Sequence, residues 1–187
     1  TITRRLTQIS MEPKTVAITD AIYDFPFIYT VEPEQMVLNA DEAQQMREWL
    51  HRGGFWMLDD FHGCDEMRRV RHELEKVDSE FAFASLAVDH AVFHTVFNIN
   101  KIVQVPVVNI GYLSQRNPDT STAEQIECGK PDILLWDGGS DDGKILMAHN
   151  MDLGDGIEHS DDPFYPSKFS LWAYQFFINT FVFALSH

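Results

Sequence analysis

The segment LHRGGFWMLDDFHG, residues 50–63, is the most informative about the fold. It carries the chain from the end of a predicted helix, through the pair Gly53-Gly54, into the apolar run Phe55–Leu58 (FWML). An uninterrupted apolar run is typical of a strand that is buried on both faces of a sheet. A glycine just before it suits the left-handed residue that ends a helix. A helix that feeds a buried strand in this way indicates a doubly wound α/β fold.

Two helices flank this strand. The first is predicted to begin at Asn39, a good N-cap, because Glu42 stands three residues on as the reciprocal partner of a capping box. The second follows over roughly Cys64–Val77, with its apolar residues at helical spacing. The polar loop between strand and second helix, Asp59–Gly63, therefore lies at the carboxyl end of a strand.

Apolar and β-branched runs elsewhere extend the alternation of helices and strands along the chain. They predict strands or buried extended segments at Thr15–Thr19, Phe25–Val31, Phe81–Val88 and Ile102–Val108. Since no linker or internal repeat interrupts the chain, we expect residues 1–187 to form one α/β domain.

The C-terminal part combines a hairpin with a long helix. Ile133–Trp136 and Ile145–His149 flank a turn-like DGGSDDG stretch, which predicts a β-hairpin. Ser167–Leu185 is apolar nearly all round, so a buried helix is predicted there. The polar segment Tyr112–Asp132 is predicted to lack regular structure.

The charge balance narrows the classes of partner. Lys and Arg number 14 against 29 Asp and Glu, which gives a net charge of −15. Such a surface repels the phosphates of nucleic acids and anionic lipids, so we expect no nucleic-acid binding. Cations and basic protein surfaces are the natural counterparts, and a protein partner is expected. Polar residues interrupt the longest apolar stretch, so no transmembrane segment is predicted.

Several polar residues follow predicted strands, at the edge where open α/β sheets bind their ligands. Asp59 and Asp60 are suited to hold a divalent cation or to act as an acid–base pair, but also to cap a helix and bond loop amides. His90 and His94 would share one helical face as a metal-binding pair, although scattered histidines more often satisfy local hydrogen bonds. The candidate ligand-binding residues are Asp59, Asp60, His62, His90, His94, His149 and Asn150.

The densest acidic run gives the candidate metal site. Asp152, Asp155 and Glu158 offer oxygen donors between glycines, as a bound cation such as calcium would require. Their spacing matches no standard calcium loop, and a solvated, capped entry to the last helix explains the run equally well.

Two cysteines are too few for a disulfide framework or a four-ligand zinc site. One disulfide between Cys64 and Cys128 remains open if the protein is exported. Cys64 at a helix start could also be argued as a nucleophile, but a small buried residue is the favoured interpretation.

A further set of motifs carries a family resemblance. They are DFPFIY at 24–29, LHRGGFWMLDDFHG, Asp89-His90 with Phe93-His94, and NMDLGDG at 150–156 with the helix that closes the chain. Together they resemble the bacterial family called domain of unknown function 4159, over most of residues 15–187. The resemblance implies a class I glutamine amidotransferase-like, flavodoxin-like fold: an open, mostly parallel sheet with helices on both faces. It also implies an extracytoplasmic or periplasmic location, and no assigned reaction.

Departures from the family pattern bear on function. Family members carry a further segment before Thr1, so the resemblance implies that the first strand of the sheet is missing from this chain. His62 and Ile157 stand where aromatic residues such as tryptophan are expected. Where amidotransferase-like enzymes present a nucleophilic cysteine backed by histidine and glutamate, this chain has Asp59-Asp60. No Cys-His-Glu triad is therefore recognisable.

Three functions are compatible with these patterns. The first is a non-catalytic binding or assembly module on an amidotransferase-like scaffold, favoured because the nucleophile is missing. The second is a metal-dependent hydrolase that uses an Asp/His cluster at the carboxyl ends of the strands. The third is a structural subunit of a larger membrane-associated complex. No cofactor is required by the first, whereas the second needs a divalent cation.

Overall fold

A computed structural model describes residues 12–116, 129–138 and 143–186. The described strands form one open sheet with the order β1-β2-β5-β4-β3. They are β1 (Phe27–Val31), β2 (Phe55–Phe61), β3 (Ala84–Ser85), β4 (Asp132–Asp137) and β5 (Lys144–His149). The pairs β1–β2 and β2–β5 are parallel, whereas β4 runs antiparallel to both of its neighbours. Only β4 opposes the common direction, so the predicted mostly parallel α/β sheet is confirmed.

Helices cover both faces of this sheet. They are α1 (Ala40–His51), α2 (Gly63–Val77), α3 (Val108–Arg116), α4 (Leu153–Glu158) and α5 (Ser167–Ser186), with short 3-10 turns at Asp20–Asp24, Pro33–Gln35 and Ala91–Phe93. Phe55 and Met57 of β2 enter the apolar cluster that contains α5, and Trp56 and Leu58 enter the cluster that contains α1 and α2. The FWML run is thus buried on both faces, as its composition predicts.

Local signals place α1. The Asn39 side chain accepts the amides of Asp41 and Glu42, and the Glu42 carboxylate accepts the Asn39 amide at 2.9 Å. This reciprocal capping box satisfies amides that have no partner within the helix. At the other end Gly53 has a φ of 86°, a conformation that costs glycine little.

The long helix α5 is a core helix. Phe169, Phe176 and Phe183 are almost fully buried, and Phe183 packs edge-on against Phe55 with ring centroids 6.3 Å apart. By length and composition alone α5 is also apolar enough to cross a membrane, but half of it is buried within the domain. Burial of this kind is what the core helix of a sheet requires.

Three predictions about extended or irregular segments fail in whole or in part. Thr15–Thr19 forms no strand; it leads into the first 3-10 turn, where Thr19 Oγ1 accepts the Ala21 amide at 3.3 Å. Of Phe81–Val88 only Ala84–Ser85 forms a strand; the Leu86 amide adds one bond to the Ile133 carbonyl, and the Phe81 ring packs against Trp136, 4.4 Å away. Strand formation depends on available ladder partners more than on β-branched composition.

The third concerns the polar segment Tyr112–Asp132. Its first residues complete α3, which ends at Arg116, while residues 117–128 lie outside the described part of the chain. The apolar run Ile102–Val108 is irregular until α3 begins at Val108. The predicted hairpin is confirmed in its pairing, with Ile133 opposite Ala148.

Candidate functional site

Strained backbone marks the carboxyl ends of the three parallel strands. Among the described residues, the non-glycine residues with positive φ are Glu32 (47°) after β1, Asp60 (60°) in β2 and Asn150 (58°) after β5. Hydrogen bonds tie them to the adjoining strand: the Glu32 amide donates to the Asp59 carbonyl and the Asn150 amide to the Phe61 carbonyl. Strained residues of this kind are held by the surrounding structure and cluster at functional sites, so this edge is a candidate site. The edge they mark is the one at which open α/β sheets bind ligands.

Asp59 lies at the centre of this edge and is fully buried. Its Oδ2 accepts the Tyr29 hydroxyl at 2.5 Å and the amides of Leu153 and Gly154 at 2.9 and 3.1 Å. Its Oδ1 has no hydrogen-bond partner. Burial raises the pKa of the Asp59 carboxyl to about 7, although these hydrogen bonds favour the charged form. The Tyr29 pKa is raised as well, by burial and by Asp59, so this hydroxyl stays a donor.

Asp152 is the second buried carboxyl. It caps α4, since its Oδ1 accepts the Asp155 amide at 2.7 Å. Burial raises its pKa well above the usual range, and the neighbouring charges of Asp60 and Asp59 raise it further. A side chain at Gly154 would begin 3.2 Å from Asp152 Oδ1, so a glycine lets α4 approach this cluster. Asp59 and Asp152 are therefore groups that hold protons near neutral pH.

Asp60 is the most accessible of the three aspartates, with 24% of its side chain exposed. Burial raises its pKa to about 6, the adjacent His62 lowers it, and the charges of Glu32 and Asp155 raise it again. The His62 Nδ1 lies 3.9 Å from Asp60 Oδ1. Within the described part of the chain, no lysine or arginine forms a salt bridge with any of these aspartates.

His149 and Asn150 hold the turn that follows β2. The Asn150 side chain accepts the Gly63 amide at 2.8 Å and donates to the Gly129 carbonyl at 3.1 Å. Gln104 donates to the Asn150 carbonyl, and His149 Nε2 lies 3.2 Å from the Gly63 carbonyl. Burial lowers the His149 pKa, so this histidine is neutral at physiological pH. Both residues therefore stabilise the backbone of the turn beside the site.

Cys64 is the second residue of α2, beside this turn. It is disulfide-bonded, so it offers no thiol and cannot serve as the shifted nucleophile. Cys128, the only other cysteine in the chain, lies outside the described residues.

His90 and His94 lie elsewhere. His90 caps the 3-10 turn Ala91–Phe93, and its ring packs on Phe183, which in turn contacts the first residue of β2. His94 Nε2 lies 2.7 Å from the Val88 carbonyl. The two histidines are therefore at the opposite end of β2 from Asp59 and Asp60. The structure brings together Asp59, Asp60, His62, His149 and Asn150, and leaves His90 and His94 out.

The acidic run 152–158 supplies a possible cation group. Ligand atoms of Asp155, Glu158 and His159 all lie within 4.8 Å of one another, the one such group in the described part of the chain. Asp152, whose carboxyl caps the helix, is not a member of this group. The expected set of Asp152, Asp155 and Glu158 thus shares two residues with the observed group, and His159 completes it.

Sequence reasoning missed Tyr29, Glu32 and His159. The rule that ligands bind at the carboxyl ends of strands would have drawn attention to Glu32, the residue directly after β1. Helical spacing would have found His159, four residues after Asp155. Tyr29 had no local signal, because its hydroxyl meets Asp59 only through strand pairing.

Comparison with known proteins places the whole chain in a family. No curated protein matches it. The family model described as "Domain of unknown function (DUF4159)" matches residues 1–185, and the chain therefore belongs to this family.

Proposed function

We propose that the domain is a non-catalytic binding module on an amidotransferase-like scaffold, and that it binds a divalent cation at Asp155, Glu158 and His159. The observation that carries this proposal is the convergence of three ligand atoms of these residues within 4.8 Å. A cation there would also be attracted by the neighbouring carboxylate of Asp60, whose charge interacts with that of Asp155. The histidine nitrogen favours zinc over calcium, which prefers oxygen ligands alone.

The donor groups are held in place by their surroundings. Asp155 Oδ2 accepts the Val108 amide at 2.6 Å, which leaves Oδ1 towards His159 Nε2 at 3.8 Å. The His159 ring contacts Tyr112 and Tyr165, with centroids 6.5 and 6.0 Å away. Ligands that are positioned before binding lose less conformational entropy when the ion arrives.

Isothermal titration with zinc, manganese and calcium tests the proposal. We expect one of these ions to bind stoichiometrically, and Asp155→Asn to weaken binding by about tenfold or more. Asp161→Asn is the matched control, because Asp161 is an exposed aspartate a few residues further along the same segment. No binding by the wild-type chain, or equal losses in the two variants, would contradict the proposal.

A metal-assisted hydrolase is the second candidate, and Asp60 is the observation that favours it. A half-buried carboxyl with a pKa of about 6, on a strained strand-to-helix turn, is charged at neutral pH and can accept a proton from water. Ester hydrolysis by the purified protein that is lost in Asp60→Asn would decide for this candidate.

An extracytoplasmic location is also proposed. The disulfide of Cys64 supports it, because disulfides persist in oxidising compartments and are rare in the cytosol. Cell fractionation with an antibody against the chain would check the location.

A further inference from the structure

The strand β1 (FIYTV) ends the sheet with an open hydrogen-bonding edge. Towards β2, the Pro26 carbonyl accepts the Phe55 amide and the Glu32 amide donates to the Asp59 carbonyl. Since a parallel ladder uses alternate residues, the amides and carbonyls of Phe27, Tyr29 and Val31 face away from β2. No described residue bonds to them, and β1 is the terminal strand of the sheet order.

Nothing in β1 protects this edge. Natural edge strands are usually kept short, or carry proline, a charge or a bulge, which prevents unwanted pairing. The opposite edge follows this rule, because β3 consists only of Ala84–Ser85. In contrast, β1 has five residues of strand-favouring types, without proline, glycine or charge, and is in regular register with β2.

Four aromatic rings form an apolar surface beside the open edge, which we call the ledge. Phe27 packs against Phe177 and Phe181 of α5, with ring centroids 6.1 and 5.3 Å away, and Tyr29 packs against Phe177 at 5.4 Å. All four rings are only partly buried. A strand laid beside β1 would place alternate side chains over these α5 rings and bury them further.

Acidic residues flank the edge at both ends. Asp20 and Asp24 precede β1, and Glu32 and Glu34 follow it. The chain as a whole carries a net charge of −15, so two copies would repel each other. A strand with basic residues would instead be attracted by these flanks.

We infer that the outer edge of β1 is a docking site for an extended, basic strand of a partner protein. The partner strand bonds to the amides and carbonyls of Phe27, Tyr29 and Val31, and its apolar side chains cover Phe177 and Phe181. Main-chain bonds give such β-augmentation its affinity, and the side-chain ledge gives it selectivity. This surface is independent of the cation group in the proposed function.

The test uses a short synthetic peptide in which valine alternates with lysine, and amide hydrogen exchange in the full chain. We expect the peptide to slow exchange at the Tyr29 and Val31 amides. Val31→Pro removes one outward donor and no bond to β2, and should weaken peptide binding about tenfold, as the loss of one or two backbone bonds would. Val37→Pro is the control: Val37 is 79% exposed, and Met36 before it has the extended backbone that proline requires.

Each outcome bears on the inference. Slowed exchange that is retained in Val37→Pro and lost in Val31→Pro supports it. Absence of protection, or equal binding by both variants, overturns it. Protection of the same amides without peptide, rising with protein concentration, would show that a second copy occupies the edge, and would also overturn it. A peptide of the same composition with a central proline should not bind.

Discussion

Two buried carboxyls in this domain have opposite environments. Glu73 of α2 is 6% exposed and accepts the Lys76 ammonium at 2.7 and 2.8 Å and the Leu38 amide at 2.7 Å. Burial alone would raise its pKa, but these bonds outweigh burial and lower it. Asp59 is fully buried with no cation beside it, and its pKa is raised to about 7.

The difference separates a structural carboxylate from a group that is free to exchange a proton. Between α1, α2 and the chain that precedes α1, the charge is compensated within the fold. At the carboxyl ends of the parallel strands, the charge of Asp59 has no such partner among the described residues. The residues with strained backbone lie at this same edge. Buried groups with shifted pKa values and no partner charge are characteristic of functional sites.

The largest expected effect is on the pH dependence of stability. Because the pKa of Asp59 is raised from 3.8 to about 7 on folding, the folded chain binds its proton more tightly than the unfolded chain. The contribution of Asp59 is present at low pH and is lost as pH rises towards 7. Between pH 5 and 7 we expect Asp59 to contribute a fall of about 2 kcal/mol in the free energy of unfolding, and Asp59→Asn should remove this part of the total fall, leaving the parts due to Asp60 and Asp152. Urea denaturation at both pH values measures it.

Glu73→Gln is the control of opposite sign. The lowered pKa of Glu73 means that its contribution is present above its unfolded value of 4.5 and is lost only at lower pH. This variant should therefore be less stable at neutral pH, yet keep the fall between pH 5 and 7. If Asp59→Asn keeps the whole of that fall too, the proposed protonation of Asp59 is wrong.

A comparable effect on stability is expected when Glu73 loses its neighbouring cation and so resembles Asp59. Lys76→Met removes the cation beside Glu73 and should cost about 2 kcal/mol at pH 7, less than a fully buried pair because the lysine is one-third exposed. The loss should shrink at pH 5, where the unpaired Glu73 can bind a proton. Thermal or urea denaturation measures it, and Arg71→Met on the same helix, at an exposed position, should change little. Equal losses in the two variants would show that Lys76 does not compensate Glu73.

The smallest effect concerns the strained residue after β1. Glu32→Gly relieves the left-handed backbone and should stabilise the fold by about 0.5 kcal/mol, the strain recovered less the added freedom of the unfolded chain. It also removes a charge that raises the Asp60 pKa, so that pKa should fall in an NMR titration. Glu32→Gln removes the charge and keeps the strain. Glu32→Gln should therefore lower the Asp60 pKa without stabilising the fold. Any other result would show that Glu32 does not act on this site in the way proposed.

The elements that were predicted correctly are those whose causes are local. The capping box of Asn39 and Glu42, the stop at Gly53 and the FWML strand each depend on residues that are neighbours in sequence. The α5 helix is also predicted correctly, because a helix that is apolar nearly all round must be buried.

Strand predictions failed for segments whose pairing depends on strands elsewhere in the chain. Thr15–Thr19 has the composition of a strand, but the described sheet offers it no pairing, and it leads into a turn. Phe81–Val88 forms a strand over only two residues, and the Phe81 ring packs against Trp136 of β4. Composition alone cannot rank such competitors, since the energy lies in contacts with distant residues.

The candidate site shows the same limit. The chain alone shows that Asp59 and Asp60 follow a buried strand, and that Asp152, Asp155 and Glu158 form an acidic run. Which of these groups meet depends on how the strands pair. Parallel pairing of β1 with β2 brings Tyr29 to Asp59, pairing of β2 with β5 brings α4 there as well, and His90 is carried to the far end of β2. The reason is physical: local conformation is set by neighbours along the chain, whereas the pKa of a carboxyl is set by burial and by charges that only folding brings near.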